Sequence, residues 1–456
     1  MNKREFLKAS GAILTGTMLS HIVPAEAEET ARQADAVANR TNWSGNLRYH
    51  TDHLLQPATV EETQQAVKSC TKLRALGARH SFNTIADSNF NQISVKALQQ
   101  MSVDAKARTV TVGGGVTYGQ LAPYIDAQGF AVHNLASLPH VSVAGACATA
   151  THGSGNKNGN LSTSVAAMEI VTADGNLVHL SREKDGDQML GAAVALGGLG
   201  VVTSTTLDVI PTFQMAQVVF ENLSFDQLEH NLEAIFGSGY SVSLFTDWQK
   251  NRATQVWIKS RLAPGGKADM PAQFYGATLA TKKLHPVTGH SAENCTEQQG
   301  IPGPWYERMP HFRMNFTPSS GAELQSEYFV PRDKGYAAIR AVEELRDHIT
   351  PHLFVTEFRT IASDNLWMST CHDRDSMTVH FTWKPDWPAV KKVLPLIEAK
   401  LAPFDARPHW AKMFTMQPSH IQKLYQKLTD YQAMLKHYDP NGKFRNDFLD
   451  TNIFGA

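Results

Sequence analysis

The sequence predicts a two-domain protein in which helices and strands are interspersed, and three observations carry that expectation. Its 456 residues suffice for two separately buried cores. The first half alternates helix-start signals, short apolar runs and glycine-rich turns. Near Thr212 that texture gives way to a region with its own helices and strands, and the domain boundary is placed there.

Residues 1–27 are expected to be an export signal. Lys3 and Arg4 precede an apolar stretch running from Gly11 to Val23, and Ala25-Glu26-Ala27 offers a small-residue cleavage site. A bilayer needs about 20 apolar residues, and Thr15, Thr17, Ser20 and His21 dilute this shorter run. No stable membrane span is therefore expected in the mature chain, and a periplasmic or extracellular location is. The segment Lys3-Arg4-Glu5-Phe6-Leu7-Lys8 resembles a twin-arginine signal with lysine in the first paired position. Residues 28–39, polar and alanine-rich, read as a linker, with ordered structure starting near Asn42-Trp43.

Thr59 and Glu62 have the spacing of a capping box, which predicts a helix to about Cys70, followed by a strand over Lys72 to Leu76. Thr109 to Val112 reads as a strand running into Gly113-Gly114-Gly115. Thr117 and Gln120 form a second box, with Leu121, Tyr124 and Ile125 on one helical face and Gly129 beyond the helix end. Met168 to Val171 and Leu177 to Leu180 flank Asp174-Gly175, a hairpin signal. Val201 to Ile210 reads as one long strand closed by Pro211. Beyond Thr212, helices are expected over Ser224 to Ile235 and Tyr336 to Arg346, a strand over Met377 to Trp383, and long loops from Leu262 to Pro304.

The 42 basic and 43 acidic residues nearly cancel, so the charge balance points neither to nucleic acid nor to an anionic membrane surface. A small-molecule partner fits better. Cys70, Cys147, Cys295 and Cys371 are scattered without a C-x-x-C pair, which argues against a disulfide framework or a zinc site. The 19 histidines include no H-E-x-x-H, and no metal is expected.

Three motifs carry chemistry. In Leu76-Gly77-Ala78-Arg79-His80-Ser81-Phe82-Asn83 a glycine turn follows a strand, and successive N–H groups in such a turn can nest a phosphate oxygen; an ordinary surface turn fits the same residues. The run from Ala136 to Gly155 is built of small residues broken by hydroxyls. It permits close backbone approach to a bulky ligand, or tight packing of a helix on small residues. Ala195-Leu196-Gly197-Gly198-Leu199-Gly200 precedes a strand, the reverse of a Rossmann fingerprint, so a dinucleotide Rossmann fold is disfavoured.

In this order the three motifs resemble the vanillyl-alcohol oxidase superfamily of FAD enzymes, and its alditol oxidase branch most closely. Leu324 to Pro331, Thr356 to Thr360, Val379 to Trp383, Arg407 to Lys412 and Asp439 to Asn446 extend the likeness over almost the whole mature chain. The resemblance implies an α+β, PCMH-type fold with a discontinuous FAD domain (40–212 and 414–456) around a substrate or cap domain (213–413). It implies FAD joined covalently to His80. FAD contacts are expected from Gly77, Ala78, Arg79, His80, Ser81, Phe82 and Asn83, and from Ser137, Ser142, Gly145, Thr149, Ala150, Thr151 and His152. Val202 and His409 complete that set.

The resemblance also implies substrate contacts from Ser137, Glu357, Arg359, Thr382 and Lys412. Glu357 and Arg359, two apart, face the same side of a strand; without the family match a solvated ion pair would be the ordinary reading. Arg359 and Lys412 are expected to orient the reacting hydroxyl and to stabilise charge in the reduced flavin, while Glu357 accepts from substrate hydroxyls. His380 is a proton acceptor or a positioning group. The expected activity is oxidation of the terminal hydroxyl of an alditol such as xylitol or sorbitol to the aldose, with O2 reduced to H2O2 and the enzyme a monomer. An aldonolactone oxidase or dehydrogenase, and an exported carbohydrate- or flavin-binding protein without turnover, are the rivals.

Overall fold

Helix starts in the first half follow their capping chemistry. In the computed structural model, which describes residues 40–314 and 322–455, the Thr59 hydroxyl accepts from the Glu62 N–H and opens α1 (Val60–Ser69). Glu62 reaches back to the Ala58 N–H, so the reciprocal half of that box slips by one residue. Thr117 and Gln120 complete both halves of theirs at the head of α2 (Tyr118–Asp126), which buries Leu121 and Ile125. The expected export signal, 1–27, and linker, 28–39, lie outside the described residues.

The strand expected over Lys72 to Leu76 shortens to Arg74–Ala75, paired in parallel with Gln92–Ile93, which takes Leu54–Leu55 on its other side. Arg74 is buried and spends its guanidinium on the carbonyls of Ile85, Leu196, Gly197 and Phe444, tying this small sheet to the third glycine loop and to the C-terminal segment. A five-stranded antiparallel sheet follows. It contains β1 (Met101–Asp104), β2 (Thr109–Gly113), β3 (Val165–Val171), β4 (Leu177–Ser181) and β5 (Val201–Asp208), in the order β1-β2-β5-β3-β4. β3 and β4 form the expected hairpin: Asp174 accepts from the Thr172 hydroxyl and the Asn176 N–H, and Gly175 takes a left-handed φ of 78°. The long strand expected to Ile210 stops at Asp208; Ile210–Pro211 pairs instead with Phe130–Ala131. Between β2 and β3 the small-residue run folds into a short helix, α3 (Val143–Ala148).

Beyond Thr212 the chain builds a ten-stranded sheet. Its long strands are β6 (Gln214–Ser224), β7 (Ser241–Thr246), β8 (Arg252–Leu262), β9 (Leu324–Pro331), β10 (Leu353–Ile361) and β11 (Ser376–Trp383), in the antiparallel order β6-β8-β7-β10-β11-β9. Helices α4 (Asp226–Phe236), α5 (Gly335–Glu343) and α6 (Trp387–Leu401) join Phe358, Val379, Phe381 and Trp383 in one apolar core. The opposite sheet face carries Gln325, Glu327, Glu357, Arg359, His380 and Thr382. β10 is buried along nearly its whole length, so those charges cannot be solvated and must find partners.

The segment from Leu262 to Pro304 is mostly loop, with short strands at Gln273–Phe274, Ala277–Leu279 and Gly303–Pro304. The C-terminal residues return to the first half. Tyr431, on α7 (Leu428–Tyr438), donates to the Ala195 carbonyl at 2.7 Å. Asn446 donates to the carbonyls of Thr84, Ile85 and Asp87 at 3.1, 3.3 and 2.9 Å. From Thr41 onward the described residues form one compact body.

Candidate active site

A cavity of about 840 Å³ runs from the three glycine loops to the charged face of the large sheet. Among the described residues, the N–H groups of Gly77, Ala78, His80 and Ser81 have no protein acceptor, while the neighbouring Phe82 N–H is spent on the Ala411 carbonyl. Three non-glycine residues take left-handed φ, one in each loop: Arg79 at 64°, Ala150 at 54° and Leu196 at 49°. Such strain is tolerated where surrounding structure fixes the backbone, and it clusters at ligand clamps. A Cβ on Gly77 would meet Ser142 Oγ at 2.8 Å, and one on Gly145 the same oxygen at 2.7 Å, so a side chain at either position would displace the Ser142 hydroxyl.

This end fits an FAD: a nest of unpaired N–H groups suits its phosphates, and the small-residue wall suits a flat ring system. His80 lines the cavity with its ring stacked on Trp43, centroids 4.9 Å apart. Burial, then His140 and Arg79, pull its pKa down to about 4, so the imidazole is neutral. Ser142, Gly145, Thr149, Thr151 and His152 also line the cavity, as do Val202 and His409. Asn83 and Ala150 do not. The Asn83 amide clamps the carbonyls of Trp410 and Lys412, and Ala150 turns into the core.

At the other end, register builds the site. Glu327, His380 and Glu357 lie directly across from one another on β9, β11 and β10, and Gln325 pairs with Thr382 one step along. Glu327 holds the centre. Arg359 Nη2 donates to its Oε1 at 2.8 Å, Lys412 Nζ to its Oε2 at 2.6 Å, and His152 Nε2 stands 3.2 Å from Oε1. Glu357 Oε1 accepts from His311 Nε2 at 2.8 Å and lies 3.6 Å from Arg359 Nε.

Burial pushes the Glu327 carboxyl up, but Lys412, Arg359 and His152 together win and hold it well below the usual carboxylate range. Glu357 follows the same logic, with Arg359 and His311 outweighing its burial. The Arg359 guanidinium is buried too, yet the two carboxylates raise its pKa. Burial lowers that of Lys412, partly offset by Glu327. His380 is held well below its usual value by burial and by Lys412, so it is neutral. Its protonation site follows from a chain of bonds. The Gln325 amide N–H donates to Glu323 at 2.6 Å, leaving Gln325 Oε1 to accept from His380 Nε2 at 3.2 Å. Nδ1 then carries the lone pair, and it is buried without a hydrogen-bond partner.

All the residues expected to touch substrate, Ser137, Glu357, Arg359, His380, Thr382 and Lys412, come together in this cavity. Sequence reasoning missed Glu327, His311 and Gln325 as site residues. Glu327 lay within a motif quoted for the resemblance, and its two-residue offset from Gln325 on an apolar strand was the available signal. His311 lies in a loop and left none. Among the described residues, His152, Glu327 and His409 are the group spaced to hold a metal ion. Both Glu327 oxygens already face fixed cations, which would repel one.

Residues 51–181 match the model of the FAD binding domain family, and residues 319–452 that of D-arabinono-1,4-lactone oxidase. The chain is 47% identical over 420 residues to an alditol oxidase of Streptomyces sp., covering 91% of this chain and 99% of that one. The chain belongs to the alditol oxidase branch of the vanillyl-alcohol oxidase superfamily. Like its relatives in that branch it is an FAD oxidoreductase of PCMH-type fold. A lactone-oxidising relative is more distant: L-gulono-1,4-lactone dehydrogenase of Mycobacterium tuberculosis is 26% identical, covering 90% of this chain and 97% of that one. Among solved structures, the glucooligosaccharide oxidase of Acremonium strictum superposes with a TM-score of 0.69 at 16% identity, covering 90% of this chain and 93% of that one. Its flavin is described as a 6-S-cysteinyl, 8α-N1-histidyl FAD.

Proposed function

We propose that this alditol oxidase family member takes the terminal hydroxyl of an alditol of the xylitol or sorbitol type to the aldose, with O2 reduced to H2O2. The observation that carries the reading is the buried Glu327–Arg359–Lys412 cluster facing the same cavity as the FAD cradle. FAD, when bound, supplies the electron sink that no side chain offers. The N–H groups of the first loop and the small residues around Ser142 would hold it. Arg359 and Lys412, kept as cations by Glu327, orient the reacting hydroxyl and offset negative charge that develops beside them. Glu357 accepts from hydroxyls further along the substrate. His380, a neutral ring at the cavity wall, serves as proton acceptor or as a positioning group for the reacting hydroxyl. Ser137 and Thr382 supply neutral hydrogen bonds at the cavity wall.

Peroxide release from xylitol, sorbitol, glycerol and a panel of aldonolactones tests the reading directly. Preferential oxidation of lactones would move the protein to the activity named for its 26%-identical relative. Release with none of the substrates would favour a carbohydrate- or flavin-binding role.

The neutral His80 imidazole has the lone pair that a bond to the flavin requires, and the A. strictum enzyme carries a histidyl-linked flavin. Covalent attachment at His80 is therefore part of the proposal. Yellow colour should stay with the denatured polypeptide and leave it in His80→Ala. Export through residues 1–27 to the periplasm or medium, and a monomeric state, belong to the same proposal. N-terminal sequencing of the mature protein and its sedimentation check them.

A further inference from the structure

A lysine and a histidine stand behind Glu357, and neither has a role in the reading above. Lys259, on β8, is buried, and its Nζ faces three acceptors: the carbonyls of Met309 and Pro310 and the Nδ1 of His311, the last at 3.1 Å. An ammonium has three N–H groups and no lone pair, so His311 Nδ1 must accept. The ring proton is then on Nε2, 2.8 Å from Glu357 Oε1, where a donor is what a carboxylate favours. The His311 ring is gripped edge-on by Phe245 and Trp257, with centroids 5.5 and 5.3 Å away. Both Glu357 contacts, from His311 and from Arg359 Nε, fall on Oε1.

We propose that Lys259 and His311 are positioning residues: Lys259 locks His311 in its Nε2–H tautomer, and that N–H holds Glu357 Oε1 so that the carboxylate presents a fixed acceptor to the alditol. The proposal rests on the reading of Glu357 as the acceptor for substrate hydroxyls. The charged and titratable groups around Lys259 are Glu357, Arg359, Cys295 and His311. Burial pulls the ammonium down to about 7, opposed by Glu357 and reinforced by Arg359. The Cys295 thiol is pushed up to about 11 and His311 down to about 4, so both stay neutral while Lys259 titrates. Below pH 7 the lock is intact. Above it, a neutral amine can accept as well as donate, so Lys259 no longer enforces the tautomer and only the Glu357 carboxylate favours it.

Steady-state kinetics with xylitol on the holoenzyme test this. Lys259→Met should raise KM about tenfold at about pH 6, the loss of one hydrogen bond to a charged group, with a smaller change in kcat. The same substitution in a Glu357→Gln background should add nothing, because the effect passes through Glu357. Wild-type KM should rise as pH increases through about 7, while the Lys259→Met profile stays flat there. His311→Gln, which can still donate to Glu357 and accept from Lys259, should retain more of the wild-type KM than His311→Leu. That pair carries the test should Lys259→Met fail to fold. Wild-type KM in His311→Leu, or an equal penalty with and without Glu357→Gln, would overturn the proposal. An unchanged KM in Glu357→Gln alone would remove the reading of Glu357, and the proposal with it.

Discussion

The two ends of the cavity solve the burial of polar groups by different devices. The cradle offers main-chain N–H groups from turns held in left-handed φ at Arg79, Ala150 and Leu196. The substrate end offers charged side chains from strands, each satisfied by another: Glu327 by Arg359 and Lys412, Glu357 by His311. A backbone site depends on side-chain size, because a Cβ at Gly77 or Gly145 would displace the Ser142 hydroxyl. A side-chain site depends on charge balance, because each partner removed strands another in a low-dielectric interior. One end should therefore fail by steric change and the other by electrostatic change.

The largest contrast is expected at Glu327. Glu327→Leu leaves Arg359 and Lys412 buried without their shared anion and should cost about 3–5 kcal/mol of stability, measured by denaturant unfolding of the holoenzyme. A variant as stable as wild type would mean that the cations find water or another partner. Next is Lys412→Ala, which should lower kcat by about a hundredfold or more while the FAD absorbance per polypeptide is unchanged. Loss of the flavin would place Lys412 in the cradle rather than at the substrate.

Gly77→Ala should do the reverse, destabilising the flavin-loaded cradle by about 1–3 kcal/mol through overpacking and lowering the flavin incorporated per polypeptide. Ser142→Ala in the same chain, which removes the oxygen 2.8 Å from the new Cβ, should restore part of it. No rescue would mean that the backbone, not Ser142, sets the limit.

The smallest effect is a pH dependence. Glu327 has a folded pKa below its ordinary 4.5, so its ion pairs contribute in full above that value and are lost as pH falls toward the folded one. The stability advantage of wild type over Glu327→Gln should narrow below about pH 4.5, whereas the Gly77→Ala difference should not.

Local chemistry was legible in the residues. The Thr117/Gln120 box and the Asp174-Gly175 hairpin formed where their side-chain bonds and turn geometry demanded. Glu357 and Arg359 shared a face because a strand has a period of two. The small-residue run folds into a short helix, with Val143 and Cys147 buried and Ser142, Gly145, Ala146 and Thr149 at the cavity. The strand at Lys72 to Leu76 is shorter than its apolar pattern suggests: only Arg74 and Ala75 pair with Gln92 and Ile93, and the Leu73 N–H is spent on the Lys443 carbonyl of the C-terminal segment.

The sequence by itself determined the loops that admit a bulky anionic cofactor and the strand that aligns Glu357 with Arg359, since turn propensity and strand period act over a few residues. Only the tertiary structure decided which anion neutralises the cations. Glu327 meets Lys412 across 85 positions and Arg359 across 32, and His311 reaches Glu357 across 46. Those pairings follow from the order β10-β11-β9 and from a loop laid against β8, and no local signal encodes the register of strands so far apart.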